Sequence, residues 1–217
     1  MFRYNPRKRK ATYTTSLGKR QKYTTIRGVP TRFAVPPKKV ELKYQDGQAT
    51  TTIPTGGSVI LCTEISNGTG PSDRIGRRIQ YHDIQINYHW SPAIGSTQRA
   101  RAVLVYDTQS NNALPLVTEV MNGTDVAALY NPDNRMRFKI LYDTMVMTHQ
   151  SANFFSSTGE YGKNNVVISL KGKDCLYSGS TSTVSDIEKG SVFWVLLGNV
   201  NNGMTFVERQ RLQYFDQ

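Results

Sequence analysis

Between Ile84 and Trp90 every second residue is large and apolar (Ile84, Ile86, Tyr88, Trp90), and Gln85, Asn87 and His89 between them are polar. A period of two fits an extended strand with one face in a core. Ile79 and Tyr81, just upstream, fall on the opposite phase. One extra residue near His82-Asp83, a β-bulge, would return all six to a common face. Residues 99–107 alternate as well: Ala100, Ala102, Leu104 and Tyr106 share one face, and Val103 and Val105 on the other predict burial on both sides. Strands are also expected at residues 58–65, 136–147, 165–171, 174–177, 191–199 and 204–214. Trp194, inside the apolar run 192–197, reads as part of a fully buried central strand. No strand–helix–strand rhythm is present, which argues against a parallel α/β fold. The expected fold is all-β, a single eight-stranded antiparallel jelly roll of two packed sheets, with a Greek-key barrel as the nearest competitor.

Smaller features complete this expectation. Residues 40–44 and 49–53 flank Asp46-Gly47 and read as a hairpin or edge arm, because Asp-Gly favours a tight hairpin turn. Residues 108–135 break the strand pattern and hold two short helix candidates, 116–121 and 124–130, the second with Thr124 or Asp125 as cap. Met145 and Met147, two apart on one strand face, are expected in the core. Cys62 and Cys175 lie in no Cys-x-x-Cys or Cys/His pattern and read as free thiols in strands. Asn67-Gly68-Thr69 and Asn122-Gly123-Thr124 match the glycosylation pattern but read better as Asn-Gly turns.

Charge divides the chain into two parts. The net charge is +11, from 27 Lys+Arg against 16 Asp+Glu. Residues 1–40 hold Arg3, Arg7, Lys8, Arg9, Lys10, Lys19, Arg20, Lys22, Arg27, Arg32, Lys38 and Lys39, with no acidic residue among them. The rest of the chain is therefore close to neutral. Residues 1–38 are also short of aliphatic side chains and end on Pro30, Pro36 and Pro37. Such a segment buries too little apolar surface to offset its chain entropy. The expected domains are a basic, disordered nucleic-acid-binding arm at 1–38 and a jelly-roll shell domain at 39–217. Tyr4, Tyr13 and Tyr23 lie among the charges, either to stack on exposed bases or as spacers.

The candidate nucleic-acid contacts are Arg3, Arg7, Lys8, Arg9, Lys10, Lys19, Arg20, Lys22, Arg27 and Arg32, because each neutralised phosphate releases condensed counterions whatever the base sequence. Arg7, Lys8, Arg9 and Lys10, followed after a spacer by Lys19, Arg20 and Lys22, also have the form of a bipartite nuclear localisation signal. Arg74, Arg77 and Arg78 form a second basic cluster. They touch nucleic acid, pair with acids of a neighbouring subunit, or lie in an ordinary solvated loop. No amphipathic membrane face, signal peptide or membrane-length apolar run is expected.

Chemistry for catalysis is missing from the pattern. His82, His89 and His149 are scattered, and His82 and Asp83, as strand neighbours, should point to opposite faces. Thr55-Gly56-Gly57-Ser58 lacks the lysine of a phosphate loop. No metal-ligand spacing is visible, so neither a cofactor nor a cupin-like metal enzyme is expected.

Three further stretches carry a family resemblance. They are Glu41-Leu42-Lys43-Tyr44 with Asn67-Gly68-Thr69-Gly70 and residues 74–79; residues 105–111 with Pro115, Thr118 and residues 119–122; and Asn131-Pro132 with residues 137–143. They resemble capsid proteins of small circular single-stranded DNA viruses that encode a replication initiator. The same order of features is similar to the coat protein of satellite tobacco necrosis virus, an RNA satellite. The likeness spans roughly residues 40–150, and the last third fits by strand count only. It implies one jelly roll assembling into the smallest icosahedral shell of sixty identical subunits, with a single-stranded genome inside, DNA expected and RNA the alternative. The arms would then supply about 720 positive charges, enough for about as many phosphates. Expected partners are further copies of the chain, the genome, a nuclear import receptor and a host-cell receptor. The expected locations are the virion and the host nucleus. The competing reading is a monomeric or small-oligomer β-barrel that binds nucleic acid.

Overall fold

The computed structural model describes residues 41–92, 97–149 and 161–216. Ten strands carry the fold. They are β1 (Leu42–Thr52), β2 (Ser58–Leu61), β3 (Arg78–Pro92), β4 (Thr97–Asp107), β5 (Phe138–His149), β6 (Tyr161–Ser169), β7 (Asp174–Tyr177), β8 (Ile187–Lys189), β9 (Ser191–Gly198) and β10 (Met204–Asp216). One sheet runs β1-β10-β3-β7-β8 with β6 also on β3, and the other runs β2-β9-β4-β5. The named pairings are antiparallel. β6 and β7 meet successive stretches of β3, so together they fill one strand position. With the three-residue β8 set aside as an extension beyond β7, the order is first–eighth–third–sixth in one sheet and second–seventh–fourth–fifth in the other, which is a jelly roll.

The expected strands are present, but one join differs. Residues 42–52 form one unbroken strand, not a hairpin, and pair with β10 from Leu42↔Phe215 to Thr52↔Thr205. The Asp-Gly turn preference loses to eleven residues of ladder and to a fork of two hydrogen bonds from Arg211 to Asp46, at 2.6 and 2.7 Å. Gly47 serves packing here: a Cβ would stand 3.0 Å from Gln210 Nε2. The strand expected over 58–65 ends at Leu61.

The bulge in β3 falls where the phase change places it. Gln213 pairs with Asp83 and Tyr214 with Tyr81, leaving His82 as the extra residue. Ile79, Tyr81, Ile84, Ile86, Tyr88 and Trp90 all end up at most 1% exposed. They join β4, β9 and β10 side chains in the core between the sheets. β9 is buried along its whole length, as the apolar run predicts.

A second, smaller core explains why β4 and β9 are buried on both faces. Val103, Val105, Phe193, Val195 and Leu197 point away from the main core and are covered by Val117, Val120, Met121, Val126 and Phe138. The cover is the segment between β4 and β5. Its first helix candidate is a single turn, α1 (Val117–Val120). The second, 124–130, is not helical: Asp125 accepts from Ala127 N through its side chain (2.7 Å) and from Ala128 N through its carbonyl (2.9 Å), and the chain makes one turn there without continuing as a helix. Arg137 pins the segment by donating to both oxygens of the fully buried Asp107, at 3.0 and 2.8 Å.

Cys62 and Cys175 are free and buried, and burial pushes both thiols up, Cys175 to about 11. Met145 and Met147 depart from expectation: they are 54% and 61% exposed. β5 is the edge of its sheet, and they sit on its outward face beyond the covering segment.

Candidate nucleic-acid interface and contact surfaces

The ten arm residues Arg3, Arg7, Lys8, Arg9, Lys10, Lys19, Arg20, Lys22, Arg27 and Arg32, and with them the localisation signal, lie outside the described residues. What the structure supplies is the disposition of the remaining charges. Arg74 is fully buried. It donates to the carbonyls of Ile65 (3.3 Å), Gly76 (3.0 Å) and Gly179, and its guanidinium lies 4.0 Å over the Tyr177 ring. Arg77 binds Tyr177 O and Glu188, and Arg78 binds Asp174, all within the same subunit. Arg74 is therefore a buried clamp between the β2–β3 connection and β7, and Arg77 and Arg78 face acids of their own subunit. Arg77 and Arg78 are mostly exposed (65% and 59%), so replacing either with alanine should change stability by less than about 1 kcal/mol. Urea unfolding measures this, and a loss several-fold larger would mean the pairs matter more than exposed pairs do.

His82 and Asp83 do not diverge as strand neighbours should. The bulge turns both to one side, and His82 Nδ1 lies 2.7 Å from Asp83 Oδ2, with the His82 ring edge-on to Phe215. The contact ties together the two residues at the bulge. Among the described residues no group of three or more His, Cys, Asp or Glu side chains converges on a metal-sized site. No helix among them is long and apolar enough to cross a membrane.

One ionisable group in the core has a strongly perturbed environment. Glu208 occupies an inward position of β10, between Phe206 and Gln210, and is 2% exposed. Trp194 Nε1 donates to its Oε2 at 2.9 Å. Burial pushes its carboxyl up to about 7, against the lowering effect of that hydrogen bond. A small cavity of about 160 Å³, lined in part by Cys62, Glu64, Glu208 and Gln210, lies beside it. The signal was present in the pattern: Met204, Phe206, Glu208, Gln210, Leu212 and Tyr214 share one phase, and a glutamate inside it is a buried carboxyl.

Two exposed apolar clusters remain. One follows β5: Met147 stands opposite Arg99 and Met145 opposite Arg101, with Ile140 past a bulge opposite Val105. Leu129 (77% exposed) and Tyr130 (41%) adjoin it, because Arg101 stacks on the Tyr130 ring and Tyr130 hydrogen-bonds Asp143. Asp143 is also forked by Arg101 at 2.9 and 2.6 Å, which holds its carboxyl low against burial. The other is Leu42 and Tyr44, which share the outer face of β1; Ile75 is also exposed, on the loop that Asp216 holds on the Lys43 side.

Comparison with known proteins matches residues 38–217 to the family described as satellite tobacco necrosis virus coat protein. The match extends through the last third of the chain. The coat protein of Maize white line mosaic Satellite virus is 26% identical over 154 residues, covering 69% of this chain and 68% of that protein. The coat protein of Satellite tobacco necrosis virus 2 is 25% identical over 158 residues, covering 71% and 75%. A solved structure titled desmodium yellow mottle tymovirus aligns over 83% of this chain and 90% of its own, at 9% identity and a TM-score of 0.33. These relatives are coat proteins of satellite viruses, and the expected origin in a circular single-stranded DNA virus gains no support from them.

Proposed function

The chain belongs to the satellite tobacco necrosis virus coat protein family, and from that premise we propose that sixty copies close into an icosahedral shell around single-stranded RNA gripped by residues 1–38. Its role is structural: a coat protein that builds the capsid of a small virion. RNA replaces the DNA of the sequence-based expectation because the matched relatives are satellite virus coat proteins.

The observation that carries this reading is the contrast in charge. All twelve cations of residues 1–40 lack an acidic residue in their own segment. In the shell domain the basic cluster most suited to phosphate is used up in internal contacts. Packaging by the arm is therefore independent of base sequence and sensitive to salt. Identical subunits repeat the same small set of contacts until every rotation closes.

Deleting residues 1–38 tests the division of labour. The truncated chain should fold, while nucleic acid recovered from its particles falls to background. Sedimentation and electron microscopy follow the particle, and separate ribonuclease and deoxyribonuclease digestion of the extracted contents of the full chain identifies the cargo. Undiminished packaging by the truncated chain would sink the assignment of the arm. The basic clusters serve the genome in this reading; nuclear accumulation of a reporter fused to residues 1–38 would add an import step.

A further inference from the structure

The apolar stripe on β5 has no occupant within its own subunit. Leu129, Tyr130, Ile140, Met145 and Met147 are 77%, 41%, 36%, 54% and 61% exposed. Together they present on the order of 500 Å² of largely apolar side chain, near the upper end for an ordinary monomer surface. A standard interface needs about 800 Å² from each partner, so the stripe supplies more than half of one side. Methionine and tyrosine are also the side chains that interface centres favour.

The ionised pair inside this face, Arg101 and Asp143, is already joined by two hydrogen bonds and capped by the Tyr130 hydroxyl. Arg99, opposite Met147, is an exposed cation at one end of the stripe. A partner covering the stripe should therefore be apolar along it and polar or acidic beside Arg99. β5 is moreover an edge strand of twelve residues, which an uncapped monomer would expose to non-specific pairing.

The chain carries a surface of the required kind on its other flank. β5 ends one side of its sheet, and β2 ends the opposite side. β1 ends the first sheet away from β6 and β7, and Leu42 and Tyr44 on its outer face are 46% and 45% exposed. One apolar patch on each flank is what a head-to-tail contact requires, since a self-complementary contact needs only one.

We infer that the β5 stripe is a subunit contact whose occupant is a second copy of this chain, received through the Leu42–Tyr44 face of β1. The inference rests on the coat-protein reading and deepens it by naming the contact and its polarity.

Two double variants of the full chain test it: Met145→Lys with Met147→Lys on the stripe, and Leu42→Lys with Tyr44→Lys on the flank. All four positions are exposed, so thermal unfolding of each variant should stay close to the wild type. Each variant alone should fail to close a shell, with particle yield lowered by at least about tenfold. An equimolar mixture should not restore particles, because each pair formed uses the one sound surface of each partner. If the stripe variant assembles like the wild type, the contact is wrong. A flank variant that still assembles would overturn the polarity. Should the lysine pair on the stripe impair folding, Met145→Thr with Met147→Thr, which suits a strand, puts the same question. A wild-type chain that forms no particle under any condition overturns the coat reading itself.

Discussion

Replacing Trp194 with alanine should cost about 3–5 kcal/mol of folding free energy, the range for emptying a large aromatic site in a core. Trp194 is fully buried at the middle of β9, between Ile60 of β2 and Leu104 of β4. Its ring meets Phe206 at 5.3 Å, Tyr88 at 6.2 Å and Tyr142 at 6.4 Å between centroids, and thus joins side chains from both sheets. Neighbours held by two hydrogen-bonded sheets relax little, so most of the cavity should persist. Trp194→Ala also removes the hydrogen-bond donor to Glu208. Trp194→Phe keeps most of the ring volume while losing the N–H, and should cost less, roughly 1–3 kcal/mol, mainly from one unsatisfied buried acceptor. Urea unfolding of the dissociated chain measures both. Equal losses for the two variants would show that the hydrogen bond, not the cavity, dominates.

Stability should fall as pH rises from about 4.5 to about 7, and Glu208 should be the cause. Its carboxyl has an ordinary value of 4.5 when unfolded and about 7 when folded. Below the lower value both states are protonated and Glu208 contributes no pH dependence. Between the two values the unfolded chain ionises and the folded chain does not, so each pH unit favours unfolding by about 1.4 kcal/mol. The accumulated loss is about 3 kcal/mol above pH 7. Asp46, Asp143, Asp186 and Asp216 act in the opposite sense, since their folded carboxyls are lowered from 3.8. Their stabilisation is lost only as pH falls through that lower region, outside the window of Glu208. Glu208→Gln keeps an acceptor for Trp194 Nε1 and cannot ionise. Its stability should be nearly flat from pH 4.5 to 8, ending about 2–3 kcal/mol above the wild type at the alkaline side. A wild-type curve parallel to that of the variant would remove Glu208 as the source.

Local periodicity carried more of the fold than turn preference did. The phase change specified a bulge near His82-Asp83, and the register makes His82 the extra residue, because a strand cannot shift its inward set by one position without one. The valines of β4 announced a second covered face before anything identified the cover. Asp46-Gly47 misled because the tight turn it favours is worth less than continuous pairing along β10. Arg74 misled for a related reason: nothing near it in sequence shows that Gly179 and Tyr177 close over it. In the contact surface, Met145 and Met147 were legible as sharing a face, but not as facing outward.

The amino-acid order by itself determined which residues form strands, which phase of each strand is apolar, and that the whole positive excess resides in residues 1–40. These are properties of neighbours in the chain, set by a period of two and by composition. Tertiary structure decided which strand stands at an edge, which arginines are consumed by carbonyls and acids distant in sequence, and which carboxyl is held protonated beside an indole. Those outcomes depend on partners 14 to 105 residues away, brought together only when ten strands choose their neighbours.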